Sequence, residues 1–229
     1  MLPISDSIKS KKFPLFNLTM IGINIYVFFL MLTSPSIDSF INTYALIPST
    51  VSFTNPESLL PFITSMFLHG GLFHIASNMI FLWVFGDNIE AHLGKLWYLL
   101  IFFVSGVVGG LSQYIISPDS QIPMLGASGA VSGILGAYYV SHRHAKIKSI
   151  VFIFFFVTTI QIPATIYIIY WFGLQVLSGV VELGNMSDTG GVAFWAHIGG
   201  FIAGLILAKI GHKEYKEGVI EGEFTEVRG

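Results

Sequence analysis

Apolar residues run along this chain in blocks close to the length of a bilayer crossing, parted by short polar stretches. About 20 apolar residues are needed to cross a hydrocarbon core roughly 30 Å thick. On that measure the pattern predicts six spans: Phe16–Leu32, about Met66–Phe85, Leu96–Ile116, about Ser128–Ser141, about Pro163–Val180 and about Val192–Ile210. The second is interrupted by His69, His74 and Asn78, and the fourth is short. A further apolar run, Ile150–Ile160, is too short to span and is closed by Gln161 and Pro163. It reads as a membrane-facing loop leading into span five, with a longer, displaced fifth span as the alternative.

Charge gives these blocks an orientation, because Lys and Arg concentrate in cytoplasmic segments. With both termini inside, all 11 Lys and Arg fall inside: Lys9, Lys11 and Lys12, then Lys95, then Arg143, Lys146 and Lys148, then Lys209, Lys213, Lys216 and Arg228. The outer loops, 33–65, 117–127 and 181–191, carry Asp38, Glu57, Asp119, Glu182 and Asp188 but no Lys or Arg. Composition agrees with a polytopic membrane protein: 53% hydrophobic, 10% charged and a mean hydropathy of +0.74 over 229 residues, against about 25% charged in soluble domains. No cysteine is present, which excludes disulfides and thiolate metal sites.

The first span follows basic residues, as in a signal peptide, but its length and the lack of a small-x-small cleavage site favour a retained anchor. Residues 1–15 then form a cytoplasmic N-terminal segment, 16–210 one six-span domain, and 211–229 a charged, Gly-containing segment expected to be a flexible cytoplasmic tail.

Polar residues inside the spans are costly there and are functional candidates by default. His74 and Asn78 lie four apart, on one helical face, in the outer half of span two. Ser128 opens span four at its outer side, and His197 lies about five residues, roughly 8 Å, into span six. The four converge at one depth. At about 14 residues span four is only about 21 Å long, so the polar loop at 117–121 must dip inward to meet it, around protein or a water-filled cavity. Water at Ser128 would permit hydrolysis.

Small residues supply the close approach that a Ser–His pair needs. Ala196, Gly200, Gly204 and Ala208 recur every fourth position in span six, facing Gly129, Ser132, Gly133 and Gly136 of span four, a pattern that lets helix backbones meet. Gly126 and Gly129 flank Ser128 and keep backbone N–H groups exposed where an oxyanion would form. Ser128 also begins a helix, where unpaired N–H groups and the dipole favour negative charge. His74 and Asn78 are the side-chain donors to add, and one lost donor costs on the order of 3 to 4 kcal/mol in the barrier. No Asp or Glu stands in an outer half-span, so the constellation is a Ser–His dyad rather than a triad.

The strings His69-Gly-Gly-Leu-Phe-His74-Ile-Ala-Ser-Asn78, Gly126-Ala-Ser128-Gly-Ala and Ala196-His197-Ile-Gly-Gly200 with Gly204 closely resemble the rhomboid intramembrane serine proteases. The resemblance covers about residues 16–210 and implies a six-transmembrane-helix, all-α bundle. It implies Ser128 as nucleophile, His197 as base, and His74, Asn78 and the Ser128 backbone amide as oxyanion hole. Its implied partners are the lipid bilayer and transmembrane segments of membrane-protein substrates, not nucleic acid; it implies no metal and no cofactor. The loop at 33–65 corresponds to the family's membrane-embedded first loop and span five to its proposed lateral gate. Two departures stand out: Ser132 occupies a position where some bacterial members stack an aromatic ring on the histidine, and the first loop lacks the family's Trp-Arg pair.

Alternatives of other classes remain on the sequence alone. A Gly-Ala-Ser-Gly-Ala string by itself is most often a packing seam, and a lone intramembrane His can be structural or part of a proton path. A catalytically silent, rhomboid-like client-binding protein would lack Ser128 or His197, and both are present. A transporter or proton channel relaying through His74 and His197 would more often carry internal repeats, and none is visible. The compact layout suggests a prokaryotic inner membrane, with the site toward the outer face.

Overall fold

A computed structural model describes residues 1–8, 12–153, 156–184 and 192–226, with side chains outside 152–153, 184 and 212–226. Nine helices and three strands follow in chain order among the described residues: β1 (Leu2–Asp6), α1 (Leu15–Leu32), α2 (Ile37–Tyr44), α3 (Pro61–Thr64), α4 (Leu72–Phe81), α5 (Asp87–Leu93), α6 (Lys95–Ile116), α7 (Ser128–Ser141), β2 (Lys146–Ile153), β3 (Phe156–Pro163), α8 (Ala164–Gly184) and α9 (Phe194–Glu226). The protein is a helical, polytopic membrane bundle.

Among the described residues, five helical segments are long and apolar enough to cross a membrane: Leu15–Leu32, Leu72–Leu93, Lys95–Ile116, Ala164–Leu183 and Phe194–Gly211. The second joins α4 to α5 through a π-turn at Leu82–Gly86. It starts at Leu72 rather than near Met66, because Gly70 and Gly71 break the chain and residues 65–67 form a 3₁₀ turn. The sixth expected span is α7, whose 14 residues cover about 21 Å and do not match a full bilayer. It lies instead at the centre, with Gly129 through Tyr138 all buried.

Glycines set the packing around α7. A Cβ at Gly200 would overlap the carbonyl oxygen of Gly129, and one at Gly204 the carbonyl oxygen of Gly133. Helices α7 and α9 therefore touch backbone to backbone. Gly109 of α6 brings that helix equally close, a Cβ there falling 2.6 Å from the Ala196 carbonyl oxygen. Such contacts gather dispersion and weak Cα–H···O interactions where lipid removes most of the hydrophobic incentive to associate.

The segment 150–160, expected as a loop, is instead most of a β-hairpin. β2 pairs antiparallel with β3 from Lys146–Pro163 to Ile153–Phe156, and β1 adds to the other edge of β2. An 11-residue apolar run cannot cross a bilayer, but its Ile, Val, Thr and Phe residues favour pleated structure, and pairing satisfies the backbone groups a loop would leave open. The period of two is visible in β2: Ile147 and Ser149 are buried while Lys146 and Lys148 are exposed. Residues 2–6 of the N-terminal segment are thus part of a sheet. At the other end of the chain the α9 backbone stays helical to Glu226, through most of the expected flexible tail, consistent with the helix propensity of its Lys and Glu residues. Residues 227–229 lie outside the described residues.

Candidate active site

The loop entering α7 is held by backbone hydrogen bonds. Leu46 and Met124 exchange N–H···O bonds of 3.0 and 2.8 Å, Ser49 N–H donates to Ser120 O (3.0 Å), and Gly126 N–H donates to Ser65 O (2.9 Å). These ties fix the first loop without the Trp-Arg pair. Gly126 has φ +122°, open to glycine at little cost, and its turn delivers Ser128 to the first position of α7. No side chain caps that helix; its first intrahelical bond is Val131 N–H to Ala127 O. The N–H groups of the first turn stay available around Ser128, as helix starts require unless capped.

Helix α4 brings its own donors to the same turn. A Cβ on Gly126 would stand 2.6 Å from His74 Nε2 and 3.7 Å from Asn78 Nδ2, so only glycine leaves room for the two side chains to face the loop. Asn78 is 5% exposed, and its Nδ2 has no hydrogen-bond partner. An unpaired buried donor is costly and rare; here it stands next to the serine loop.

Across the α7–α9 contact, Gly129 packs against the Ala196 carbonyl, the position where a Cβ would stand 3.6 Å away. Ser128 and His197 are the chain neighbours of those two residues, one turn from the tighter approach of Gly200 to the Gly129 carbonyl. A small cleft between α6, α7 and α9 is lined by Ser65, Gly126, Ser128, Gly129 and Ala196 among others. Ser128 is partly exposed and His197 is buried. The two share no hydrogen bond in this structure: His197 Nδ1 pairs with Gln175 Oε1 of α8 at 2.8 Å, and Ser132, rather than reaching the histidine, donates its hydroxyl back to Ser128 O at 2.6 Å. Trp171 of α8 lies over His197 instead, ring centres 6.0 Å apart and planes tilted by 32°. Gln175 and Trp171 were not singled out from sequence. A lone Gln in an otherwise apolar span was the available signal.

His69 is fully buried, both ring nitrogens lack partners, and its ring meets that of His74 edge-on at 5.1 Å. His92 and His142 are partly exposed and pack edge-on at 5.1 Å at the opposite end of the bundle. Among the described residues no group of three or more His, Cys, Asp or Glu is arranged to hold a metal.

The model of the Rhomboid domain matches residues 56–214, a stretch that contains all of α4, α6, α7 and α8 and the serine and histidine motifs. The chain belongs to the rhomboid family. It is 32% identical over 147 residues to the Rhomboid protease GluP of Bacillus subtilis, covering 64% of this chain and 25% of that protein. It is 31% identical over 137 residues to Rhomboid protein 1, mitochondrial, of Saccharomyces cerevisiae (58% and 38%), and 27% identical over 168 residues to the human Presenilin-associated rhomboid-like protein, mitochondrial (70% and 41%). The chain spans between a quarter and about two fifths of the length of these relatives.

Proposed function

We propose that this rhomboid is an intramembrane serine endopeptidase that hydrolyses peptide bonds in or near transmembrane segments of other membrane proteins. The observation that carries the reading is the tight packing of Gly200 against the Gly129 backbone, which supports a crossing of α7 and α9 next to Ser128, with His197 one turn before Gly200. The unpaired Nδ2 of Asn78 beside Gly126 supports it, as do the protease names of relatives such as GluP.

In this reading His197 Nε2, the nitrogen not engaged with Gln175, takes the proton of Ser128 as Oγ attacks the scissile carbonyl carbon. The resulting oxyanion receives hydrogen bonds from Asn78 Nδ2, His74 and the Ser128 N–H, donors already oriented before charge develops. Collapse breaks the C–N bond, the imidazolium gives its proton to the leaving amine, and an acyl ester remains on Ser128. A water then loses a proton to His197, attacks the ester carbonyl, and releases the acid with Ser128 restored. The Ser–His bond absent from this structure forms when substrate fills the cleft, as catalytic hydrogen bonds commonly tighten only on binding.

The protease domain occupies residues 16–210. The distribution of Lys and Arg favours cytoplasmic termini and a site toward the outer face, in a cell inner membrane. Reconstitution in liposomes with a single-span reporter tests the proposal: cleavage by wild type that Ser128→Ala abolishes is expected. Cleavage retained by Ser128→Ala contradicts it, and reporter binding without cleavage by wild type favours the catalytically silent client-binding reading.

A further inference from the structure

Helix α8 is the least enclosed of the spans, with 22% of its apolar window buried. Three of its ties to α9 fall in one short stretch. Phe172 stacks on Phe201 with ring centres 4.4 Å apart, Trp171 leans over His197, and Gln175 meets His197 Nδ1 at 2.8 Å. Only the last is a polar contact made by α8 to a residue of the proposed dyad.

The amide of Gln175 has a defined sense. Its Nε2 donates toward Trp171 O, one turn back, at 3.4 Å, which leaves Oε1 facing the imidazole. A carbonyl oxygen can only accept. Nδ1 must therefore carry the hydrogen and donate it, and the neutral ring then has its lone pair on Nε2. That is the tautomer a base needs if it is to receive a proton from Ser128. Ser132, one turn along α7 from Ser128, donates its hydroxyl to Ser128 O, and the hydrogen bond that His197 Nδ1 makes goes to Gln175.

We propose that Gln175 is a positioning residue for this chain: it accepts from His197 Nδ1, holds the ring in the Nε2-lone-pair tautomer, and so takes the part an acid plays in a triad. The inference rests on the protease reading for its consequence, not for its geometry. An uncharged acceptor suits an intramembrane site, where a carboxylate would be far costlier to bury.

The test uses the full chain in detergent micelles, with ¹⁵N-labelled histidine and the His197 resonances assigned by their loss in His197→Ala. Wild type and Ser128→Ala are expected to show a protonated Nδ1 on His197. Gln175→Met, which keeps the bulk and removes the acceptor, is expected to shift that ring toward the other tautomer. On the reporter its kcat should fall by at least about 10-fold with KM little changed, while thermal unfolding stays within a few degrees of wild type. Gln175→Glu, which restores an acceptor oxygen at the same reach, should recover part of the lost rate. An unchanged His197 tautomer in a folded Gln175→Met overturns the proposal, as does an unchanged kcat. If wild type itself cleaves nothing, the protease reading falls, and the nitrogen signals still decide whether Gln175 sets the ring.

Discussion

Two buried asparagines at different depths of the bundle have opposite surroundings. Asn17, 1% exposed at the start of α1, has a partner for each polar atom of its side chain. Its Nδ2 donates to Leu82 O (3.0 Å), its Oδ1 accepts from Tyr98 Oη (2.8 Å), and its backbone N–H donates to Glu90 Oε2 (2.8 Å). Gly86 makes this possible, since a Cβ there would overlap the Asn17 side chain. Asn78, 5% exposed in α4, has an amide nitrogen with no partner, and nearby His69 has two unpaired ring nitrogens. Saturated polar groups stabilise a fold, whereas a donor held open in a packed protein stores binding capacity for something that arrives later. The Asn17 cluster is therefore read as structural and the α7 start as the place of the proposed site, while Ser149 Oγ of β2 and Asn88 Oδ1 show that unpaired atoms alone do not mark a site.

The sharpest way to break that contrast is Ser128→Ala. Removing one partly exposed hydroxyl should lower reporter cleavage by at least about 1,000-fold and move stability by less than about 0.5 kcal/mol, measured as turnover in liposomes and unfolding in mixed micelles. Gly200→Val should act on both at once. Its side chain would meet the Gly129 backbone, which can yield only by parting α7 from α9, so a loss of about 3 kcal/mol or more and no measurable cleavage are expected. A variant as stable and active as wild type would refute the backbone contact.

The asparagines themselves give a crossed prediction. Asn17→Leu strands Tyr98 Oη and Leu82 O, at about 1 to 3 kcal/mol each, and should lower stability by about 3 kcal/mol while the folded fraction turns over normally. Asn78→Leu strands nothing that is now paired through Nδ2. It should leave stability within about 1 kcal/mol and lower kcat about 100-fold. If both variants lose stability equally, the two asparagines do not differ as described.

The smallest effect lies at the sheet end. Asp6 accepts hydrogen bonds from Tyr138 Oη and, at 2.8 Å, from Asn88 Nδ2, and burial raises its carboxyl pKa above the ordinary 3.8, outweighing the lowering effect of the Tyr138 bond. With the folded pKa above the unfolded one, the stabilising linkage is complete below about 3.8 and is lost as pH rises through the folded value. Asp6→Asn keeps an acceptor and removes the charge. It should flatten the stability–pH curve just above 3.8 and, at neutral pH, match or exceed wild type by up to about 1 kcal/mol, read as unfolding midpoints across pH.

Much of this arrangement was legible in the sequence, and the reasons differ by element. Apolar length located α1, α6 and α8 to within a residue or a few, and the Gly126–Ala130 string located the first residue of α7 because a helix start, a serine and flanking glycines coincide there. The β-hairpin was not legible as such. A run from Ile150 to Ile160 is apolar but for Thr158 and Thr159, and its strand character comes from the pairing of β2 with β3, to which β1 adds only along residues 147–150. The start of the second span was misplaced because Met66 and Phe67 are apolar yet belong to a 3₁₀ turn packed under α6, where Met66 fills the space beside Gly106. Gln175 escaped notice for a related reason. Its meaning comes from a partner 22 residues away on another helix, and spacing along the chain carries no trace of that pairing.

Reactivity of Ser128 is the central claim, and covalent labelling measures it most directly. Wild type, Ser128→Ala and His197→Ala are purified in detergent, treated with a fluorophosphonate, and weighed intact. A single adduct on wild type, absent from both variants, is the result predicted for a serine activated by His197. An unlabelled but folded wild type, or an adduct that survives Ser128→Ala, would contradict the account.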